Sequence, residues 1–408
     1  MKKTLWLIVF VMVVSLLFYG IGCKGVETAK ETKVETEAKS PGTTVYPAGT
    51  IEYLSPEIEW VNLEIYPGLK IPKEVPKRHA THIELTFSDI ANLSGAYGAA
   101  RVWDQAGWTH DVLNCEMVLD RELRMIDDTL AKGEADVMIV NPADSQGVTP
   151  GIKKINDAGI PVFCEDRWPA GGEAIWGSSS DNHQAGVQAA EFIVDKLNER
   201  YGEPKGKVIA LMAGLEIDTL RYRVDGMREV FGKNNNITVV EVMGDIMADP
   251  STFLKALQDA LTANPDADAV WNFADYCLIS LKEGLEEIGM LYPRDDAKHV
   301  IISSIDGTDW VHAVIKEGYW DCTVSHWITE WGGLSAWASV LYESGVKLEP
   351  GPLNAPGMPY DGTEVQLLSN GLYIALPTFV VDENNVDDPS FYGNMTDEVR
   401  AYVDKYFK

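Results

Sequence analysis

Short apolar runs alternate with longer amphipathic stretches along most of this chain. The clearest unit is residues 135–168, ADVMIVNPADSQGVTPGIKKINDAGIPVFCEDRW. Residues 137–140 are uniformly apolar and read as a strand buried on both faces, which stops where Asn141-Pro142 ends ladder donation. A helix pattern over 148–158 sets Ile152 and Ile155 on one face, with Gly159 at the C′ position. A second strand over 160–164 then ends on Glu165-Asp166-Arg167-Trp168. The unit presents polar groups twice at one edge of a parallel sheet, the edge at which open α/β sheets bind ligands.

The same alternation extends in both directions. Residues 82–87 (HIELTF) read as a strand leading through Ser88-Asp89-Ile90-Ala91-Asn92 into a helix that ends at Gly107. A strand near 112–118 and a helix over 121–132 follow. After Trp176-Gly177-Ser178-Ser179-Ser180-Asp181-Asn182, a helix carries Ala185, Ala189, Phe192, Ile193 and Leu197 on its apolar face, and Asp181 suits its N-cap. Strands at 207–212, 237–242, 269–273, 299–305 and 321–326 then alternate with helices at 219–231, 251–263, 278–288 and 327–342. Repeated β-α at this period predicts an α/β protein with a second doubly wound parallel sheet. A final helix is expected over 396–407.

The N-terminus has a different pattern. Lys2 and Lys3 precede an apolar run over 5–19 and then Gly20-Ile21-Gly22-Cys23, which reads as an export signal, its apolar run too short to span a bilayer comfortably. The alternative is an uncleaved anchor helix with an incidental cysteine. Residues 23–50 are poor in large apolar side chains and predict a flexible tether. Residues 51–79, with Trp60, Leu63, Ile65 and Tyr66 among acids and prolines, predict an extended arm lying against a lobe.

Composition adds bounds. A chain of 408 residues is long for one core, so two lobes are expected. The formal charge of −28 argues against nucleic acid or anionic lipid as a partner held by long-range attraction. No G-x-x-x-x-G-K-[ST], H-E-x-x-H, G-x-S-x-G or paired C-x-x-C occurs, and no cofactor is expected. Cys115, Cys164, Cys277 and Cys322 are widely spaced beside apolar segments, so buried thiols are the default, although an exported chain could join a pair.

Asn141-Pro142-Ala143-Asp144-Ser145, then Gly159-Ile160-Pro161-Val162 and Asp166-Arg167, resemble the core of the ribose-binding-protein group of type I periplasmic binding proteins. Ser180-Asp181-Asn182 with Gly186, Arg221-Tyr222-Arg223 with Gly226, and Ile305-Asp306-Gly307 extend the resemblance in the family's order over about 80–382. It implies two doubly wound parallel-sheet lobes joined by a three-stranded hinge: residues 80–180 with 327–373 as lobe one, and 181–326 with 374–408 as lobe two. The ligand-binding residues it implies are Asn141, Asp166, Arg167, Arg223 and Asp306, and Trp168 joins them because it directly follows Asp166-Arg167. His326 stands where relatives carry a glutamine, and its charge would make affinity pH-sensitive. The group's aromatic N-P-F-F pattern in the first loop is missing, and Phe87, Asp89 and Asn92 are the nearest candidates. Ala274 replaces an expected Asn, while Asp275 is equally well explained as a helix cap. For Arg223 the competing reading is pairing with Asp218, Asp225 or Glu229 on a solvated face. Among the tryptophans, Trp168, Trp176, Trp271 and Trp310 are candidate ring platforms, whereas Trp327 and Trp331 read better as core.

Cys23 is placed as in a bacterial lipobox, which implies cleavage before it and a lipid on its thiol. The function implied is that of a monomeric solute-binding lipoprotein in the cell envelope, outside the cytoplasmic membrane. It would hold a sugar or polyol between two lobes and deliver it to an ABC importer. A sensor feeding a chemoreceptor or kinase, a receptor for a nucleoside or quorum signal, a repressor and a sugar-processing enzyme are the competitors. The export signal and the charge argue against the repressor, and the missing catalytic spacing against the enzyme.

Overall fold

The computed structural model describes residues 58–407 apart from 216 and 245–249. The export signal, Cys23, the tether and the start of the arm lie outside the described residues. The described part of the arm forms a hairpin, not an extended strand: β1 (Trp60–Asn62) pairs antiparallel with β2 (Lys70–Pro72). Its loop drives Leu63, Tyr66 and Leu69 into the core, and the Tyr66 hydroxyl donates to the Thr329 carbonyl at 2.5 Å.

The first sheet collects β3 (His79–Glu84), β4 (Thr109–Asn114), β5 (Val137–Val140), β6 (Val162–Glu165) and β7 (Trp176–Ser180), with α1 (Ile90–Ala106), α2 (Leu119–Lys132) and α3 (Thr149–Asp157) between them. β5 and β6 are buried at every position, because helices cover both faces of a parallel sheet and leave no wet side. Asp89 starts α1 by accepting from the Ala91 N–H at 3.2 Å, and Gly107 ends it at φ +68°.

The chain then crosses to a second sheet through α4 (Asn182–Tyr201), capped by Asp181. β8 (Gly206–Met212), α5 (Asp218–Gly232), β9 (Ile237–Met243), α6 (Pro250–Ala263), β10 (Ala269–Asn272), α7 (Leu281–Glu287), β11 (Ile301–Asp306), α8 (Asp309–Glu317) and β12 (Cys322–Ser325) build it. α9 (Ile328–Glu343), β13 (Gly351–Pro352), β14 (Glu364–Leu368) and β15 (Gly371–Leu376) return to the first sheet. β16 (Phe379–Asp382) crosses once more and pairs antiparallel with β12, and α10 (Thr396–Tyr406) follows.

Strand order is β13-β14-β15-β7-β6-β5-β3-β4 in one sheet and β16-β12-β11-β10-β8-β9 in the other. In each, the chain runs outward once and then reverses, between β3 and β5 and between β8 and β10. These are the switch points beside which α/β sheets open a crevice.

Several expectations shift. β3 ends at Glu84, three residues early, because the chain turns there to cap α1. β4 ends at Asn114, and Glu116 and Met117 follow at φ +54° and +56°. The helix expected over 278–288 splits into a 3-10 turn (Asp275–Leu278) and α7. β15 belongs to the first sheet through Leu376, so a return to lobe two at 374 is too early. α10 does not stay with the second sheet either: Val399 and Phe407 are buried in the first core, and Tyr402 packs edge-on against Tyr97 of α1. The four described cysteines are buried free thiols.

Candidate functional site

The carboxyl ends of the parallel strands in both sheets face a common cavity of about 580 Å³. Asp89, Asn92, Asn141, Asp166 and Arg167 line it from the first sheet, and Arg223 and Asp306 from the second. Seven of the ten expected ligand contacts therefore meet in one space.

Arg223 is the best-anchored of them. It is 5% exposed, and its guanidinium donates to Asn182 Oδ1 at 2.8 Å, to the Phe273 carbonyl at 3.0 Å and to Asp306 Oδ1 at 2.8 Å. Two glycines explain how α4 and α5 bring it in. A Cβ on Gly186 would lie 1.9 Å from the Arg223 carbonyl oxygen, and one on Gly226 would lie 2.2 Å from that of His183. The surface pairing considered for Arg223 falls instead to Arg221, which bonds Asp218.

Asp306 closes β11 at φ +135°, a strained position for a side-chain residue, and Gly307 follows at φ +87°. Asp275 holds that turn by accepting from the N–H groups of Gly307 and Thr308 at 2.8 and 3.0 Å, together with the Ser304 hydroxyl. Asp275 is thus a buried turn clamp and not simply a helix cap. Burial opposes ionisation of Asp306, yet Arg223 and His326 outweigh it and hold the carboxyl below its ordinary value.

Asp166 also has positive φ, +55°. Burial pushes its carboxyl up against the pull of Arg167 and Arg223. Its nearest cation is Arg167, with Nε at 3.7 Å, too far for a hydrogen bond. Arg167 is oriented by donating to the carbonyls of Ala143 and Pro142 at 3.0 and 3.3 Å, so the Asn-Pro-Ala turn after β5 positions it. Asp89 has part of its capacity spent on capping α1 and on Asn92 Nδ2 at 3.0 Å, and burial raises it to about 6.

Three expected contacts lie outside the cavity. Phe87 stacks on Phe407 with ring centroids 5.8 Å apart, covered by the returning C-terminal helix. Trp168 turns away onto Gly177 and Tyr373, and its indole N–H donates to Asn370 Oδ1 at 2.8 Å. His326 is 1% exposed and sits behind Arg223, 3.2 Å from Nη2, where burial holds it below its ordinary pKa. The pH sensitivity expected of it loses its basis. Trp176 and Trp271 are core residues.

The aromatic faces come from Trp310 at the start of α8 and Trp331 of α9, with Tyr276 beside them. Trp331 packs in the first core, as expected, and also reaches the cavity wall, 8% exposed and oriented by its N–H bond to Ser180 Oγ at 3.0 Å. Glu165 lines the cavity next to Asp166, and Arg400 of α10 reaches it from the tail. The edge position of Glu165 was visible in its strand, whereas no local pattern singles out Arg400. Asn141 Oδ1, Arg167 Nε and Tyr276 Oη are buried on the cavity walls without hydrogen-bond partners.

Comparison with known proteins gives a consistent family. Residues 97–345, more than half the chain, match the periplasmic binding protein domain. The chain is 26% identical over 246 residues to the ribose import binding protein of Salmonella typhimurium, covering 60% of this chain and 78% of that protein. It is 27% identical over 228 residues to the ribose import binding protein of Escherichia coli, covering 56% and 72%. Among solved structures, it is similar to an ABC transporter solute binding protein from Bacillus halodurans with bound myo-inositol (TM-score 0.61, 20% identity, 78% and 99% covered). It is also similar to one from Actinobacillus succinogenes with bound D-allose (TM-score 0.62, 19% identity, 76% and 99% covered). At these identities the structural likeness establishes the fold.

Proposed function

Because this chain belongs to the periplasmic binding protein family, in its type I, ribose-binding-like branch, we propose that the cavity between its sheets holds a small sugar or polyol for an ABC importer. The observation that carries the ligand class is the set of buried polar atoms without partners: Asn141 Oδ1 and Arg167 Nε from the first sheet, Tyr276 Oη from the second. Leaving such groups desolvated and unpaired costs about 1–3 kcal/mol each, and a ligand rich in hydroxyls can satisfy both donors and acceptors. Asp166 and Asp306 can accept hydroxyl protons, while Trp310 and Trp331 supply faces for a sugar's C–H surface.

The mechanism is a population shift. Groups from both sheets are satisfied together only when the sheets close on the ligand, so the ligand stabilises the closed form and a permease reads that form. In this reading the chain acts as a monomer without catalysis. It is held outside the cytoplasmic membrane by a lipid on Cys23, with residues 23–50 as its tether and 80–180 as the start of the first lobe.

A thermal-shift screen of the full chain against sugars and polyols tests the reading, since a ligand that binds only the folded state raises the melting temperature. The expected result is a concentration-dependent rise with at least one sugar that Asp166→Asn abolishes. No shift across the panel, or an undiminished shift in that variant, would overturn it.

A further inference from the structure

One cluster beneath the cavity is not accounted for by sugar recognition. His82 and Glu84 stand two apart on β3, so they share a face, and Glu165 reaches them from the end of β6. Their exposures are 0%, 0% and 2%. His82 Nε2 lies 3.4 Å from Glu84 Oε2 and 3.2 Å from Glu165 Oε1, and one donor atom from each residue falls within 4.8 Å of the others.

The surroundings hold these groups in place. Glu84 Oε1 accepts from the Leu85 N–H at 2.7 Å and from Asn141 Nδ2 at 2.8 Å, which leaves Oε2 turned to the cluster. The Glu165 carboxylate occupies a notch where α1 and α9 cross. A Cβ on Gly95 would lie 2.9 Å from Oε1, and one on Gly332 would lie 2.4 Å from Oε2. Two glycines therefore make room for this carboxylate.

Two carboxylates about a neutral imidazole carry a charge of −2, which a dry interior does not tolerate uncompensated. Either two protons or one divalent cation makes the cluster neutral. A proton on Nε2 can point to only one of the two oxygens, which lie 3.4 and 3.2 Å away. His82 Nε2, Glu84 Oε2 and Glu165 Oε2 are all buried without hydrogen-bond partners. One nitrogen and two carboxylate oxygens bound at roughly 2.1 Å to a four-coordinate ion would be spaced by about 3.4 Å, close to the two nitrogen–oxygen separations found, with the two oxygens within 4.8 Å of each other.

We propose that His82, Glu84 and Glu165 bind one divalent transition-metal ion of the zinc class beneath the ligand cavity. A three-residue set with an imidazole leaves one position for water and does not suit calcium or magnesium, which take six or more oxygen ligands. Glu165 and Asn141 line the cavity, so the ion has a route in from solvent. Once bound, it ties β3 and β6 to the α1–α9 crossing and fixes the cavity floor.

The test uses the full chain, stripped with chelator and reloaded with Zn²⁺ or Co²⁺. Wild type is expected to take up one equivalent of zinc by mass spectrometry and titration calorimetry, with a raised melting temperature. His82→Gln and Glu84→Gln should each weaken zinc binding at least about tenfold. Should either variant fail to fold, the cobalt spectrum of wild type decides. Intense visible bands of a four-coordinate site support the proposal, and the weak spectrum of six-coordinate cobalt overturns it. Uptake below one equivalent, or unchanged uptake in folded variants as surface carboxylates would give, also overturns it and leaves the cluster filled by protons.

Discussion

At the residue scale, the carboxylates of the cavity differ in what they already do. Asp306 accepts from Arg223 through Oδ1 and from the Asp275 N–H through Oδ2, whereas Asp166 has no comparable bond. Asp166→Asn should therefore abolish sugar-induced stabilisation while moving the unliganded melting temperature by little. Arg223→Ala should abolish it too, but with a loss of about 1–3 kcal/mol in urea unfolding of the unliganded chain, because Asp306 loses its guanidinium partner and keeps only the Asp275 N–H and the neighbouring His326. Glu122 tests a different term. It is fully buried, accepting from the Ala143 N–H at 3.1 Å, and burial raises it to about 8. A carboxyl whose folded pKa lies above its unfolded value binds more protons when folded, so its contribution is fully present below about 4.5 and is lost as pH rises toward 8. The fall in melting temperature between pH 5 and pH 8 should accordingly be smaller in Glu122→Gln than in wild type, as calorimetry at both pH values would show.

At the element scale, α1 and α9 approach each other closely. A Cβ on Gly98 would sit 1.9 Å from the Thr329 carbonyl oxygen, and one on Gly332 would sit 2.1 Å from that of Gly95. Alanine normally stabilises a helix interior relative to glycine by about 1 kcal/mol. Here the contact is with backbone, which cannot rotate away. Gly98→Ala should instead destabilise by about 1–3 kcal/mol, read as a lower urea midpoint with unchanged slope. The same crossing holds the notch for Glu165, so helix packing and the cavity floor are coupled through two glycines.

At the scale of the whole molecule, α10 adds a crossing beyond the three strand and helix crossings. The 3-10 turn Tyr392–Asn394 before it bonds the second sheet's side, with Asn394 Oδ1 3.2 Å from His312 Nδ1 and the Tyr392 hydroxyl donating to the Asp306 carbonyl at 3.0 Å. The helix itself lies on α1 and carries Arg400 to the cavity. Deleting residues 396–408 removes Val399 and Phe407 from the first core and uncovers the Phe87 ring, so the melting temperature should fall by several degrees. If the tail also restrains opening, the ligand-induced decrease in radius of gyration seen by X-ray scattering should be larger in the truncated chain.

Much of this architecture could be read from residue order. Uninterrupted apolar runs at β5, β6 and β10 can be satisfied only between helical layers, and turns such as Asn141-Pro142 and Asp306-Gly307 mark strand ends whatever surrounds them. The family resemblance pointed to Asn141, Asp166, Arg167, Arg223 and Asp306; the strand-end position explains why Asn141, Asp166, Arg167 and Asp306 face the crevice, whereas Arg223 reaches it from within α5. Side-chain direction was not local. Trp168 reads as a ring platform and Trp331 as core, yet Trp168 turns away onto Gly177 while Trp331, packed in the first core, also reaches the cavity wall. Nor could periodicity reveal that α10 returns to α1, or that His82, Glu84 and Glu165 converge, since each depends on packing between segments far apart in the chain. Element type and strand-end chemistry were thus determined by the sequence itself, through short-range sterics and burial pattern. Which side chains share a space was decided only by the tertiary structure, through close packing of distant backbones.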